Sequence, residues 1–142
     1  MKPNQLILEA FGPFPGVVTL DFTALQESMF LVCGETGAGK TTVFDALAFA
    51  LFGESSGTDR GAKDLRSDLA LETALTRVTL DFELAGRLYR VVRMPNQPKA
   101  KTSAELYDRT GRTDDGQHLE SGVRAVTTAV VELLSLDSKQ YR

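Results

Sequence analysis

Apolar and polar positions along the chain fall into short blocks with different periods. Leu6-Ile7-Leu8-Glu9-Ala10-Phe11 reads as a first strand stopped by Gly12-Pro13, and Val17-Val18-Thr19-Leu20-Asp21-Phe22 as a second, with Pro13, Pro15 and Gly16 as the turn between them. Met29-Phe30-Leu31-Val32-Cys33 has no polar position, which predicts a strand covered on both sides in the middle of an α/β sheet. From Lys40 to about Phe52 the expectation is a helix. Val43, Phe44 and the run Ala46–Phe52 leave it almost no polar face, so it should be buried all round, and Gly53 is a plausible stop.

Glu54 to about Ala74 is polar and reads as an exposed loop with a helical turn near Asp64–Leu69. Arg77–Leu84 and Leu88–Met94 predict a hairpin, closed by Ala85-Gly86-Arg87. In its first strand Val78, Leu80, Phe82 and Leu84 alternate with Thr79, Asp81 and Glu83. Pro95 and Pro98 end the second strand, Ser103–Asp108 is another, and Thr110–Gly116 is a turn-rich link. Val123, Val126, Val130 and Leu133, with Leu134 beside them, recur at helical spacing and predict a last helix capped by Ser121.

Gly34-Glu35-Thr36-Gly37-Ala38-Gly39-Lys40-Thr41 then changes the picture. It matches G-x-x-x-x-G-K-[ST] in full, between an apolar predicted strand and an apolar predicted helix. Phosphates need many N–H donors at close range, and side chains would hold the backbone away, hence Gly34, Gly37 and Gly39. The helix starting near Lys40 adds its positive end. Lys40 is expected to neutralise the β- and γ-phosphate oxygens of ATP, Thr41 to ligate Mg2+, and Thr42 to donate to the α-phosphate. Glu35 should point to solvent. Asp45, one turn past Thr41, has two readings, a contact to magnesium-bound water or a structural polar position, and the structural one is preferred. Beyond Lys40 no catalytic group is assigned. Asp81 and Glu83 alternate inside a hairpin instead of ending an apolar strand, so the chain is equipped to hold ATP but poorly equipped to cleave it alone.

Composition and charge add limits. At 142 residues with 42% hydrophobic and 25% charged positions, one compact globular domain is expected. The longest apolar run falls far short of the ~18 residues of a membrane span, the N-terminus lacks the pattern of a signal peptide, and the default location is cytoplasmic. Cys33, the only cysteine, excludes an intramolecular disulfide and reads as a small buried hydrophobe; His118, the only histidine, reads as a surface residue. The net charge of −3 hides a split: residues 87–112 hold seven basic groups (Arg87, Arg90, Arg93, Lys99, Lys101, Arg109, Arg112) against two acidic ones. That segment is either a polyanion-binding surface or the solvated face of a hairpin.

The order of motifs resembles a known family. Phe11-Gly12-Pro13-Phe14, Leu20-Asp21-Phe22, Gly34–Thr42, Phe44-Asp45-Ala46-Leu47, Leu51-Phe52-Gly53-Glu54, Arg66-Ser67-Asp68, Leu88-Tyr89-Arg90-Val91 and the closing Lys139-Gln140-Tyr141-Arg142 are similar to the N-terminal ATPase lobe of the SbcC family. These are SMC-like, ABC-type ATPase subunits of the SbcCD double-strand-break repair nuclease. The resemblance implies a P-loop NTPase α/β fold, with a mixed sheet around the P-loop helix plus an antiparallel hairpin region. It implies that residues 1–142 are the first half of a head domain. A coiled coil with a Cys-x-x-Cys tip and a C-terminal half carrying the other ATPase motifs would complete it.

By the same resemblance the whole protein would form a homodimer through two ATP molecules, bind duplex DNA and control an SbcD-like nuclease. Arg66 would join Gly34–Thr42 in holding the nucleotide, with Phe11–Phe14 and the loop near Lys63–Arg66 close to adenine and ribose, and Arg87–Arg112 is the candidate DNA-facing surface. An isolated lobe would be expected to expose apolar surface along Val123–Leu134. The competing readings are a RecF- or RecN-like repair ATPase, a stand-alone nucleotide switch or kinase, and a DNA-binding module for which ATP is an assembly signal. A kinase should carry a lid with several arginines, and Glu54–Ala74 has only Arg60, Lys63 and Arg66 as basic residues.

Overall fold

A computed structural model describes residues 1–25, 31–56 and 62–135, the last span without the side chains of Ala62 and Lys63. Six strands and two helices are present among them: β1 (Lys2–Phe11), β2 (Phe14–Asp21), α1 (Lys40–Phe52), β3 (Arg77–Leu84), β4 (Arg87–Met94), β5 (Ser103–Asp108), β6 (Gln117–Ser121) and α2 (Val123–Leu134), with one 3-10 turn at Ala62–Leu65. The strands form a single sheet in the order β2-β1-β3-β4-β5-β6, and every adjacent pair is antiparallel.

The period-2 pattern decides which face is covered. Leu6 pairs with Leu80 and Leu8 with Val78. Leu80 then pairs with Val91 and Val91 with Leu106. All of these are buried, and Phe49, Ala50, Val126 and Val130 of the two helices complete the same core. Burying residues of this kind is worth about 1.5–3 kcal/mol each. The opposite face carries Thr79, Asp81 and Arg90, offset by one residue from that row.

Local chemistry ends the elements as the sequence suggested at several points. Gly53 closes α1 in the left-handed conformation (φ 79°) and its N–H bonds to the Phe49 carbonyl at 2.8 Å. The β3–β4 turn is two residues long, Ala85 and Gly86, both at positive φ (50° and 76°), as the twist of a tight hairpin demands. Arg87 is therefore the first residue of β4 and not part of the turn.

Four expectations need correction. Among the described residues the sheet is antiparallel throughout and not mixed. Met29 and Phe30 lie outside the described residues, but Leu31–Cys33 is unpaired, with Leu31 85% exposed and Cys33 exposed. A strand buried on both faces needs hydrogen-bonding neighbours and cover on each side, and the described helices cover one face of an antiparallel sheet only. Gln117–Ser121, at the end of what read as a polar connection, is an exposed edge strand beside β5. It carries no apolar alternation, so only its pairing reveals it. His118 is exposed as expected and meets the Tyr107 ring edge-on at 5.3 Å. Ser121 does not cap α2, because the strand runs through it and Gly122 (φ 94°) occupies the cap position. The expectation of exposed apolar surface along α2 is met in part: Val126 and Val130 are fully buried, whereas Val123 is 38% exposed.

Candidate functional site

The Gly34–Thr41 segment runs as a tight loop directly into α1. Gly37 and Gly39 both have positive φ (87° and 90°), conformations that side chains other than glycine's rarely accept. Gly39 is the N-cap of α1 and its carbonyl receives the Val43 N–H at 3.2 Å. Lys40 folds back over the loop: its Nζ donates to the Gly34 carbonyl at 2.7 Å and the Glu35 carbonyl at 2.6 Å. An ammonium has three N–H donors, so this grip draws the loop around the start of the helix and leaves one donor over. No acidic residue occupies the first turn of α1, and the positive end of the helix is open to an anion.

A cleft of about 690 Å3 lies over this helix start. Its floor is Thr36, Gly37, Gly39, Lys40, Thr41 and Thr42, and its walls are Gly12, Pro13, Asp64, Arg66 and Asp68. The β1–β2 turn is pressed against the helix: a Cβ on Gly12 would stand 2.6 Å from Thr42 Cγ2, and one on Gly39 would stand 2.7 Å from the Phe14 ring. The Gly12-Pro13 pair, a turn by its residues and part of the Phe11–Phe14 segment that the resemblance put near adenine and ribose, is a wall of the cleft.

The other wall is placed by a bulge in β1. The register shifts between Glu9 and Phe11, and Ala10 takes a φ of 47°. The Ala10 carbonyl accepts from the Ser67 N–H at 2.9 Å and from Thr76 Oγ1 at 3.0 Å. Gly12 N–H bonds the Leu65 carbonyl at 2.9 Å. These bonds carry Arg66 and Asp68 to the cleft rim. The Arg66 guanidinium meanwhile donates to the Ala74 carbonyl (2.6 Å), Leu71 carbonyl (2.9 Å) and Thr76 Oγ1 (3.3 Å). Arg66 is thus a wall of the cleft and the staple of its own loop. Asp64 lies in the Lys63–Arg66 loop that the resemblance put near adenine and ribose, though no residue pattern singled it out.

The remaining candidates sort by geometry. Thr41 and Glu35 are exposed and Thr42 is buried. Gly34 and Ala38 belong to the loop beneath the Lys40 grip. Asp45 is buried and accepts from the Ser56 amide at 3.1 Å and hydroxyl at 2.5 Å, a structural bond set. Asp81 lies on the sheet face away from α1, bound by Arg90 and Arg109. The basic segment does not form one continuous surface. Arg93 is buried in the core, Arg90 and Arg109 are tied to Asp81, and Arg87 is paired with Asp108. Lys99 and Lys101 are exposed on the β4–β5 connection. The expectation that Arg87–Arg112 is one DNA-facing surface is corrected to that extent, because β-strand alternation sends Arg93 inward.

Comparison with known proteins decides the family. A family model described as an AAA domain matches residues 5–139. The chain belongs to the AAA domain family. The antiparallel sheet with two helices in this AAA domain is compatible with the α/β fold of P-loop NTPases. Along its whole length the chain is 40% identical, over 151 residues, to the SbcC subunit of the SbcCD nuclease of Vibrio cholerae. It is 39% identical over 147 residues to the protein of that name from Treponema pallidum, and 47% identical over 102 residues, 71% of the chain, to that of Lactococcus lactis. The SbcC resemblance carried by the motifs is therefore met across the chain. The chain spans about 15% of the length of the Vibrio relative and 14% of the Treponema one. Among the described residues no helix is long and apolar enough to cross a membrane.

Proposed function

We propose that this chain binds ATP with Mg2+ through a P-loop at Gly34–Thr41 and is the N-terminal half of an SbcC-type ATPase head, the ATP-dependent subunit of a double-strand-break repair nuclease. The observation that carries the reading is the Lys40 grip on the Gly34 and Glu35 carbonyls at the open N-terminus of α1, inside a cleft large enough for a nucleotide. The residues suit the group. Gly12 and Gly39 sit where a Cβ would collide, Lys40 and the first-turn amides supply positive charge, and the exposed Thr41 offers a hydroxyl to a hard cation.

Bound magnesium would supply charge neutralisation between the β- and γ-phosphates. This chain's own part is to hold and orient: the loop amides and Lys40 take the phosphates, Thr42 takes the α-phosphate side, and Pro13, Asp64 and Arg66 bound the nucleoside side. Hydrolysis would draw on a C-terminal half of the head, since Asp81 is committed to two arginines on the far side of the sheet. The exposed apolar Leu31, just ahead of the loop, supports a core completed by that half. Homodimerisation through ATP, an SbcD-like nuclease partner and contact with duplex DNA through Lys99 and Lys101 belong to the same reading.

Lys40→Ala tests it. Titration with MgATP by calorimetry should show binding lost while far-UV circular dichroism is unchanged. Unaltered affinity in a folded variant would remove the P-loop assignment, and with it the reading of the cleft.

A further inference from the structure

The first turn of α1 carries the candidate phosphate-binding residues, and close packing against Gly12 and Phe14 holds it at that end only. From Ala46 to Phe52 every side chain is apolar. Burial of apolar surface is non-directional, so the side chains of this stretch add no directional bond beyond the one just before it at Asp45, which accepts from the Ser56 amide and hydroxyl. Directional bonds have to set its register.

At the C-terminal end those bonds come from one side chain of another element. Arg93, on β4, is 1% exposed. Its Nε donates to the Ala50 carbonyl at 2.7 Å and its Nη2 to the Leu51 carbonyl at 3.1 Å. Nη2 also donates to Thr127 Oγ1 of α2 at 3.0 Å. The last carbonyls of a helix have no partner within it, and α1 has no basic residue in its own last turn. Arg93 therefore supplies the cation at the negative end of the helix. Gly53 leaves it room, since a Cβ there would stand 3.2 Å from Arg93 Nη1. Burial pulls the guanidinium down to about 10, and it stays charged at neutral pH.

We propose that Arg93 is a positioning residue for the phosphate site: by gripping the Ala50 and Leu51 carbonyls and tying them to α2 through Thr127, it sets the register of α1 and so places Lys40, Thr41 and Thr42. The inference rests on the nucleotide reading above. A helix of 13 residues is a rod roughly 20 Å long, so a shift at one end is felt at the other. The far end has no slack, because Gly12 and Gly39 leave no space for a Cβ against Thr42 and Phe14.

The test compares the full chain with Arg93→Met, which keeps bulk without charge, Arg93→Lys, which keeps charge and a donor, and Thr127→Val, which removes one acceptor. Two quantities are read: MgATP affinity, and hydrogen exchange at the amides of residues 39–43 without nucleotide. Arg93→Met should bind about tenfold more weakly, within the range for a residue that acts on a site without touching its ligand, with faster exchange in the first turn of α1. Arg93→Lys should recover part of both, and Thr127→Val should lose a smaller part. Should Arg93→Met not fold, Thr127→Val and Arg93→Lys decide.

Folded variants with lower thermal stability but unchanged affinity and unchanged first-turn exchange would overturn the proposal and leave Arg93 a core stabiliser. If the unaltered chain fails to bind MgATP, the nucleotide reading falls, while the exchange measurement still decides whether Arg93 sets the register of α1.

Discussion

Arg90 holds both carboxylate oxygens of Asp81 directly across the β3–β4 pair, Nε to Oδ1 at 2.7 Å and Nη2 to Oδ2 at 2.9 Å. Arg109 reaches the same carboxylate, and Arg90 extends to Asp115 at 2.8 Å. This cluster occupies the sheet face that the helices leave uncovered. There the strands carry polar residues held by fork-shaped ion pairs instead of a second apolar layer. Asp81 is 6% exposed, so removing its charge strands two arginines that are only partly hydrated. Asp81→Asn should cost about 2 kcal/mol, between the values for exposed and fully buried pairs. Urea denaturation measures it, and a change below a few tenths would show the cluster to be ornamental.

Acid should loosen the end of β5. Hydrogen bonds from the Thr110 hydroxyl and amide, aided by the Arg87 guanidinium, hold the Asp108 carboxyl down from 3.8 to about 2. A group whose folded pKa is depressed stabilises the fold above its unfolded value and loses that contribution as pH falls through the folded one. Stability should therefore decline from about pH 4 toward pH 2. Asp108→Asn should flatten that part of the profile in thermal melts. An identical acid limb in the variant would assign the loss to other carboxylates.

A glycine in the cleft wall should prove irreplaceable where its neighbour in the chain is not. Gly12→Ala puts a methyl 2.6 Å from Thr42 Cγ2 at a φ of 55°, whereas Gly16 has nothing within 4 Å of a built Cβ. Gly12→Ala should cost about 1–3 kcal/mol and weaken MgATP binding. Gly16→Ala, inside β2 just past that turn, should leave both unchanged. Equal effects would show that the turn, and not its contact with α1, is what matters.

DNA binding, if it runs through the β4–β5 connection, depends on Lys99 and Lys101 and not on the whole basic segment. Changing both to Glu should lower the salt slope of duplex binding by about 2, one counterion per lost phosphate contact. A slope unmoved by the double change would take this surface out of the DNA reading. Replacing the buried Arg93 would not test the point, since it would disturb the core.

Much of the local structure is set by neighbouring residues, and that is the part the sequence alone determined. The span of α1 and its stop at Gly53, the β3–β4 hairpin, the strand Ser103–Asp108 and the Gly34–Thr41 loop all follow from short-range period, turn chemistry and backbone freedom. The strands Lys2–Phe11 and Phe14–Asp21 were visible too, though the first was read only from Leu6, and Pro15 and Gly16, read as turn, lie inside the second, where pairing and not apolar pattern extends it. Tertiary structure decided what required a partner distant in the chain. Residues Gln117–Ser121 form a strand only because β5 offers an edge, and Leu31–Cys33 forms none in the described sheet because nothing there pairs with it. Arg93 reads as surface charge until the alternation of β4 turns it under the end of α1. Arg66 joins the cleft only because the bulge at Ala10 frees a carbonyl for Ser67. Period and turn residues act over a few positions, whereas burial and charge pairing depend on which surfaces meet, and that is fixed only when the sheet is assembled.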